Sequence, residues 1–335
     1  MAILHKEYST FYGEIRITKA RRESLEGNRE AIKKKIKNWF SENKPKELPP
    51  KFWGQGSFEM KTIINPIPKK DDNDNTILEY DLDYGVYFIE KENENNKRSI
   101  TTWHDWVYSS VKYHTNTLPE KKNTCIRVIY DDGHHIDLPI YYKDGKSIEL
   151  AHKTKGWTTS DPKEFYEWFN NQAKNDQQLR RIVRYLKAWK NYRENNNSYL
   201  QLPSGFALTI LATENFCSSD DDDKAFRDTV QKIKNSLDLS FICLRPTTPR
   251  GEDLFANYSE TKKNDFLTSL DQLITACNKA KDEKNFKKAS EYLRKQFGER
   301  FPLGADESEK DKSKALASSL LGSGAIPPRP YGYDL

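Results

Sequence analysis

The chain is poor in cysteine, methionine and histidine, and it has no long apolar run. Its 335 residues hold four cysteines, Cys125, Cys217, Cys243 and Cys277, set far apart. No CxxC pair or Cys/His knuckle occurs, which argues against a structural zinc site. Free thiols in a reducing cytoplasm are the expectation. No stretch approaches the roughly 18 apolar residues that a membrane helix needs. The opening MAILHKEYSTFYGEIRIT has no apolar core of signal-peptide length. An excess of one charge is also missing: 55 basic against 50 acidic residues leave a net +5. That is too little to imply bulk nucleic-acid binding. These absences predict a soluble, cytoplasmic protein with no membrane and no nucleic-acid partner.

Aromatic residues are plentiful, with 16 Phe, 18 Tyr and 7 Trp available to build a core under a polar surface. The informative stretch is 78–90, LEYDLDYGVYFIE. Read as a strand, it puts Asp81 and Asp83 on one face with Gly85 and Tyr87, and Leu82, Val86 and Phe88 on the other. Two neighbouring carboxylates repel unless a cation lies between them. The usual cation for hard oxygen ligands and phosphate chemistry is Mg²⁺. Upstream, Gly56-Ser57 follows an aromatic-rich run, and such a turn permits close backbone approach to a phosphate. Downstream, residues 125–130 and 135–142 flank Asp131-Asp132-Gly133 and read as a hairpin. Its return strand sends Ile136, Leu138 and Ile140 one way, and His135, Asp137 and Pro139 the other. Three carboxylates from neighbouring strands can hold two Mg²⁺ ions about 4 Å apart, the arrangement of nucleotidyl transfer. Catalysis of that kind works by positioning and charge neutralisation.

Helical spacing is read at 21–42 and 101–115. From about residue 160 helices dominate. Asp161-Pro162 is a start signal ahead of Phe165, Trp168 and Phe169, and 176–193 carries an apolar stripe among Arg180, Arg181, Arg184, Lys187 and Lys190. Further helices are expected after Leu202-Pro203-Ser204-Gly205, after the acidic run 220–223, and at 263–281 and 286–297. The fold class is therefore α+β, with strands and helices first and a helical second lobe across a cleft. The predicted organisation is a core at 1–155, a helical lobe at 156–303 and a flexible tail at 304–335.

Three blocks carry a resemblance: Gln55-Gly56-Ser57-Phe58 with Thr62, then Glu79 through Tyr87, then His135-Ile136-Asp137-Leu138-Pro139-Ile140-Tyr141. Together they resemble the signature of the bacterial cGAS/DncV-like nucleotidyltransferases, the oligonucleotide cyclases of CBASS antiphage systems. Looser matches at Arg21, Arg22, Asn28-Arg29, Leu186-Lys187-Ala188-Trp189, Leu202-Pro203-Ser204 and Phe297-Gly298 extend it over most of the chain. The long insertion between Gly-Ser and the first Asp places it nearest the DncV-like branch.

The resemblance implies a DNA-polymerase-β-like nucleotidyltransferase core. It implies two Mg²⁺ ions, or Mn²⁺, on Asp81, Asp83 and Asp137, with Asp137 near the attacking hydroxyl. Gly56 and Ser57 would cradle a triphosphate, Lys187 would contact phosphates and Ser204 the nucleotide. A solvent-facing lysine and a helix cap stand as equal alternatives for the last two. Gln55 either contacts nucleotide or shapes the loop, and Tyr87 is read as packing rather than base stacking. The basic face of Arg180, Arg181, Arg184 and Lys187 would suit triphosphates and is in part solvated. The implied reaction joins nucleoside triphosphates, ATP among them with the second base open, into a cyclic di- or trinucleotide. The product would activate a separate CBASS effector, and a regulatory or conjugating partner at the C-terminal tail is a further implication. The alternatives are a linear oligonucleotide or RNA nucleotidyltransferase, and a catalytically silent nucleotide-binding regulator.

Overall fold

The computed structural model describes residues 2–70, 74, 76–90, 96–145 and 147–306. The expected tail beyond residue 306, and parts of the polar segments read at 69–75 and 90–98, lie outside the described residues. The chain opens with two helices, α1 (His5–Ile15) and α2 (Lys19–Asn43). A sheet half follows: β1 (Lys51–Gln55), α3 (Gly56–Glu59), β2 (Lys69–Lys70), β3 (Thr76–Ile77), β4 (Asp81–Ile89), α4 (Ile100–Val111), β5 (Glu120–Lys121), β6 (Cys125–Ile129), β7 (His135–Lys143), β8 (Ile148–His152) and β9 (Gly156–Thr159). Six helices complete it: α5 (Pro162–Gln172), α6 (Gln177–Asn196), α7 (Gly205–Glu214), α8 (Asp222–Leu239), α9 (Glu260–Asp282) and α10 (Phe286–Phe297).

The main sheet runs β1-β4-β7-β6-β5, with β8 and β9 added beside the far half of β7. β4 and β7 are parallel, and their neighbours pair antiparallel. A parallel pair needs a crossover, and the segment carrying α4, β5 and β6 supplies it. One face of the sheet is covered by α2 and α4. Ile32, Ile36 and Phe40 pack there with Trp103, Val107 and Val111 against Leu82, Val86, Ile136 and Leu138. Phe88 stacks on Trp103 with ring centroids 4.4 Å apart.

A second core fills the helical half, where Tyr185, Phe226, Phe297 and Phe301 cluster. α1 belongs to this core. Its Tyr8 and Phe11 meet Tyr185 of α6 at 5.1 and 5.7 Å and Phe297 of α10 at 6.4 and 4.9 Å, so the chain's first helix packs with its last. The segment 1–155 is thus not one packing unit: residues 2–15 join the helical core and the sheet core begins at Ile17. The expected start at Asp161 is present, with its carboxylate accepting from the amides of Lys163 and Glu164. Residues 304–306, read as the start of a loose tail, are docked. The Gly304 amide donates to Ser290 Oγ at 2.8 Å, and Ala305 O accepts from the Lys287 amide.

Candidate active site

The face of the sheet turned away from α2 and α4 carries a polar row that crosses four strands. Gln55 on β1 lies opposite Asp83 on β4, Asp83 opposite Asp137 on β7, and Asp137 opposite Arg127 on β6. Asp81 sits opposite His135 one row earlier. Side chains directly across neighbouring strands share a face, so carboxylates 54 positions apart in sequence become neighbours. Oxygens of Asp81 and Asp137 and a ring nitrogen of His135 lie within 4.8 Å of one another, a geometry that can hold a metal ion.

The charge state of this row reflects its crowding. Asp83 is half-buried, and desolvation first, then Asp81 and Asp137, hold its carboxyl well above the usual range. Arg127 and Lys187 oppose that rise. Arg127 donates to both Asp137 oxygens, Nε to Oδ1 and Nη2 to Oδ2, each at 2.8 Å. This fork fixes the plane of the Asp137 carboxylate. Three carboxylates against Arg127 on one side and Lys187 on the other are a donor set suited to a divalent cation with oxygen ligands.

Above Asp83 the chain turns sharply from β1 into α3 at Gly56, where φ is +68°. A Cβ there would stand 2.2 Å from Asp83 Oδ2. Only glycine satisfies both the backbone and the contact. Ser57 closes the turn, its carbonyl accepting from the amides of Thr62 and Ile63 at 2.8 and 3.1 Å. Gln55 points along the row to two tyrosines. Its Nε2 donates to Tyr141 Oη at 3.1 Å, and Tyr87 Oη donates to its Oε1 at 3.3 Å. Tyr87 and Tyr141 stack at 4.6 Å. Tyr87 therefore packs against Tyr141, and Gln55 is engaged in shaping the floor beneath the turn.

The helical lobe supplies the opposite wall. Lys187 on α6 donates to Thr62 Oγ1 at 3.1 Å and to Thr62 O at 3.4 Å. Burial pushes its pKa down to about 8, with Asp81 pulling the other way. Gly56, Ser57, Asp81, Asp83 and Lys187 line one cavity of about 510 Å³ between the lobes, with Gly205, Phe206 and Thr209 of α7. Ser204 does not line it. Its hydroxyl caps α7, accepting from the Ala207 amide at 3.2 Å. Its neighbour Gly205 reaches the cleft instead, packed on the Lys187 stem.

Residues 50–141 match the model of the DncV-like nucleotidyltransferase domain of cyclic GMP-AMP synthases. A cyclic GMP-AMP synthase of Escherichia albertii is 32% identical over 241 residues, covering 70% of this chain. The chain carries a DncV-like nucleotidyltransferase domain. It spans about half the length of that relative, 52%. The cyclic GMP-AMP synthase of Vibrio cholerae is 23% identical over 319 residues, 76% of this chain and 68% of the relative. The crystal structure of Vibrio cholerae DncV matches with a TM-score of 0.76 at 18% identity, over 90% of this chain and 97% of that one. The polymerase-β-like α+β fold with its helical second lobe is thereby established.

Within this DncV-like frame, three features lay outside the sequence reading. Arg127 is one; its signal was a lone cation in the middle of the apolar strand CIRVI. His135 is another, since alternation sets its face and nothing local sets its role. The third corrects an expectation. Arg180, Arg181 and Arg184 do not form a basic face toward the nucleotide cleft. Arg180 donates to Met60 O at 2.6 Å, Arg184 to Ile63 O at 3.2 Å, and Arg181 forks onto the buried Asp222. Periodicity places them off the apolar stripe, but the 60–63 segment packs against α6 and buries Arg180 and Arg184, while Arg181 is half-buried beside Asp222.

Proposed function

We propose that the protein joins nucleoside triphosphates and closes the product into a cyclic di- or trinucleotide second messenger. The single observation that carries this is the Asp83–Asp137 register, with Asp81 beside it, directly beneath the Gly56–Ser57 turn in an interlobe cleft. In each step a ribose hydroxyl oxygen forms a bond to an α-phosphorus, the bond to the β,γ-pyrophosphate breaks, and the hydroxyl proton leaves to a base. Asp81, Asp83 and Asp137 would hold two Mg²⁺ ions, or Mn²⁺, which neutralise the phosphates and lower the pKa of the attacking hydroxyl. Gly56 and Ser57 offer amide and hydroxyl donors to the triphosphate. Lys187, facing the same cavity, supplies a cation to the phosphates. Arg127 keeps Asp137 oriented toward the reacting end of the cleft.

Relatives named as cyclic GMP-AMP synthases support ATP and GTP as the first substrates to test. A Vibrio cholerae DncV structure in complex with nonhydrolyzable GTP supports a triphosphate in the matching fold. The role we assign is in CBASS antiphage defence in the cytoplasm, with the product acting on a separate effector. Among the described residues no helix is long and apolar enough to cross a membrane.

Labelled ATP, GTP, CTP and UTP, singly and in pairs with Mg²⁺, test the reading. The expected product survives phosphatase and depends on both metal and enzyme. A phosphatase-sensitive product would identify a linear transferase. Absence of any product under all pairs would leave a nucleotide-binding regulator in its place.

A further inference from the structure

Behind the catalytic turn lies a second cavity, of about 430 Å³, separated from the nucleotide cleft by the strap 60–63. Its lining is cationic and contains no acidic residue. Arg16, Lys19 and Arg22 come from the junction and first turn of α2. Arg180, Arg181 and Arg184 come from α6, and Lys61 comes from the strap.

Two features of this concentration oppose ordinary helix design. The first turn of α2 has no acidic residue, and neither does that of α6, and both carry cations. A helix N-terminus favours negative charge, so basic first turns are unfavourable without an anion nearby. Compensation within the chain is partial. Arg181 is paired with Asp222. Lys19 and Arg22 reach Glu23 and Glu26 only at 3.7 and 3.8 Å. The Asp176 carboxylate at the α6 cap is taken by the Gln178 amide and Ser218 Oγ. Arg16, Lys61, Arg180 and Arg184 have no carboxylate partner among the described residues. Arg184 is held below the usual arginine range by burial first, with Arg22 and Arg16 adding to it. Lys61 adopts a left-handed backbone, φ +56°, rare for a side chain of its type. The strap holds it there by a bond from the Lys61 amide to Phe58 O.

We propose that this cavity is a binding site for a linear phosphate chain, either free or as the tail of a nucleotide, separate from the catalytic cleft. Several cations around a compact space match a dense polyanion, Arg180, Arg181 and Arg184 adding charge from the wall where internal partners hold them, and Arg16, Lys19, Arg22 and Lys61 lining the rest. Two helix N-termini reinforce the choice. The lining offers no open aromatic platform for a base. Tyr12 is covered by the Arg184 guanidinium at 5.2 Å, and its hydroxyl accepts from that residue at 2.8 Å.

Calorimetric titration of the full chain with inorganic tripolyphosphate in EDTA tests the site, because the metal-free carboxylates of the catalytic cleft repel a polyanion. We expect saturable binding at one site. Arg16→Glu with Lys61→Glu should weaken it by at least about tenfold. Both residues are exposed, and an unchanged melting curve verifies folding. Lys61→Ala, the milder change, should give a smaller loss in the same direction. Ser57→Ala, at the catalytic turn, should bind as wild type. A parallel ATP titration separates the sources: tighter tripolyphosphate assigns free polyphosphate, and tighter ATP assigns a nucleotide tail. Undetectable binding, or binding lost in Ser57→Ala and kept in the charge-reversed pair, would overturn the proposal.

Discussion

Single side chains decide whether this row is a site or a liability. Asp83 is the sharpest case. Its folded carboxyl holds its proton to higher pH than the ordinary value near 4. Ionised Asp83 therefore costs stability, and the cost grows as pH rises from that value through the folded one. In EDTA, Asp83→Asn should melt above wild type at pH 8 by more than at pH 5, and Mg²⁺ should narrow the gap. A gap flat with pH would show that the carboxylate is not crowded. The double change Asp81→Ala, Asp83→Ala should retain a folded far-UV spectrum and release no pyrophosphate from nucleotides. Arg127 acts through Asp137. Its replacement by Gln should cut turnover by roughly 10–100-fold, as for partners that orient a metal ligand. The same turnover in Arg127→Gln would mean that Asp137 keeps its position without the fork.

At the scale of elements, the β1–α3 turn and the facing helix α6 set the cleft. Gly56→Ala forces a side chain into a left-handed backbone and onto Asp83 Oδ2. A stability loss of about 1–3 kcal/mol is expected, together with loss of turnover. Adding Asp83→Ala should restore part of the stability and none of the activity, a non-additivity readable by urea denaturation. Lys187 carries a pH signature: with its pKa pushed down to about 8, it loses its proton above that pH. KM for nucleotide should rise from pH 7 to pH 9 in wild type, and much less in Lys187→Arg.

These elements also show what could be read in advance. The period-2 alternation in β4 and β7 is local, so the faces of Asp81, Asp83 and Asp137 were legible from sequence. Their register is not local; it depends on a parallel crossover whose slip by one residue would send Asp137 to the core. Arg127 was invisible for the same reason, because its meaning exists only opposite Asp137. α1 is legible, with Tyr8, Phe11 and Ile15 spaced as a helical face, although the segment lies ahead of the first helix expected, at 21–42. β8 and β9 are short and half-buried, which gives them little alternation to read.

The whole molecule rests on two cores joined at the cleft. The first helix lends Tyr8, Phe11 and Ile15 to the helical core, far from its sequence neighbours in the sheet half. Phe11 is fully buried between Tyr185, Phe297 and Phe301. Phe11→Ala should lower unfolding free energy by about 3–5 kcal/mol. The loss should appear in the helical half first, as hydrogen exchange in α6 and α10 ahead of β4 and β7. Uniform exchange across both halves would instead show that the two cores unfold as one.

The strap 60–63 is fastened to both sides. Met60 is buried in the helical core and Ile63 in the sheet core. Arg180, Arg184 and Lys187 of one helix grip its backbone oxygens. Such a strap works as a belt rather than a hinge. The lobes cannot rotate apart without pulling on a belt whose upstream end is the Gly56–Ser57 turn. Opening the cleft and reshaping its phosphate cradle are therefore geared together, and a change in one is transmitted to the other through four residues of main chain.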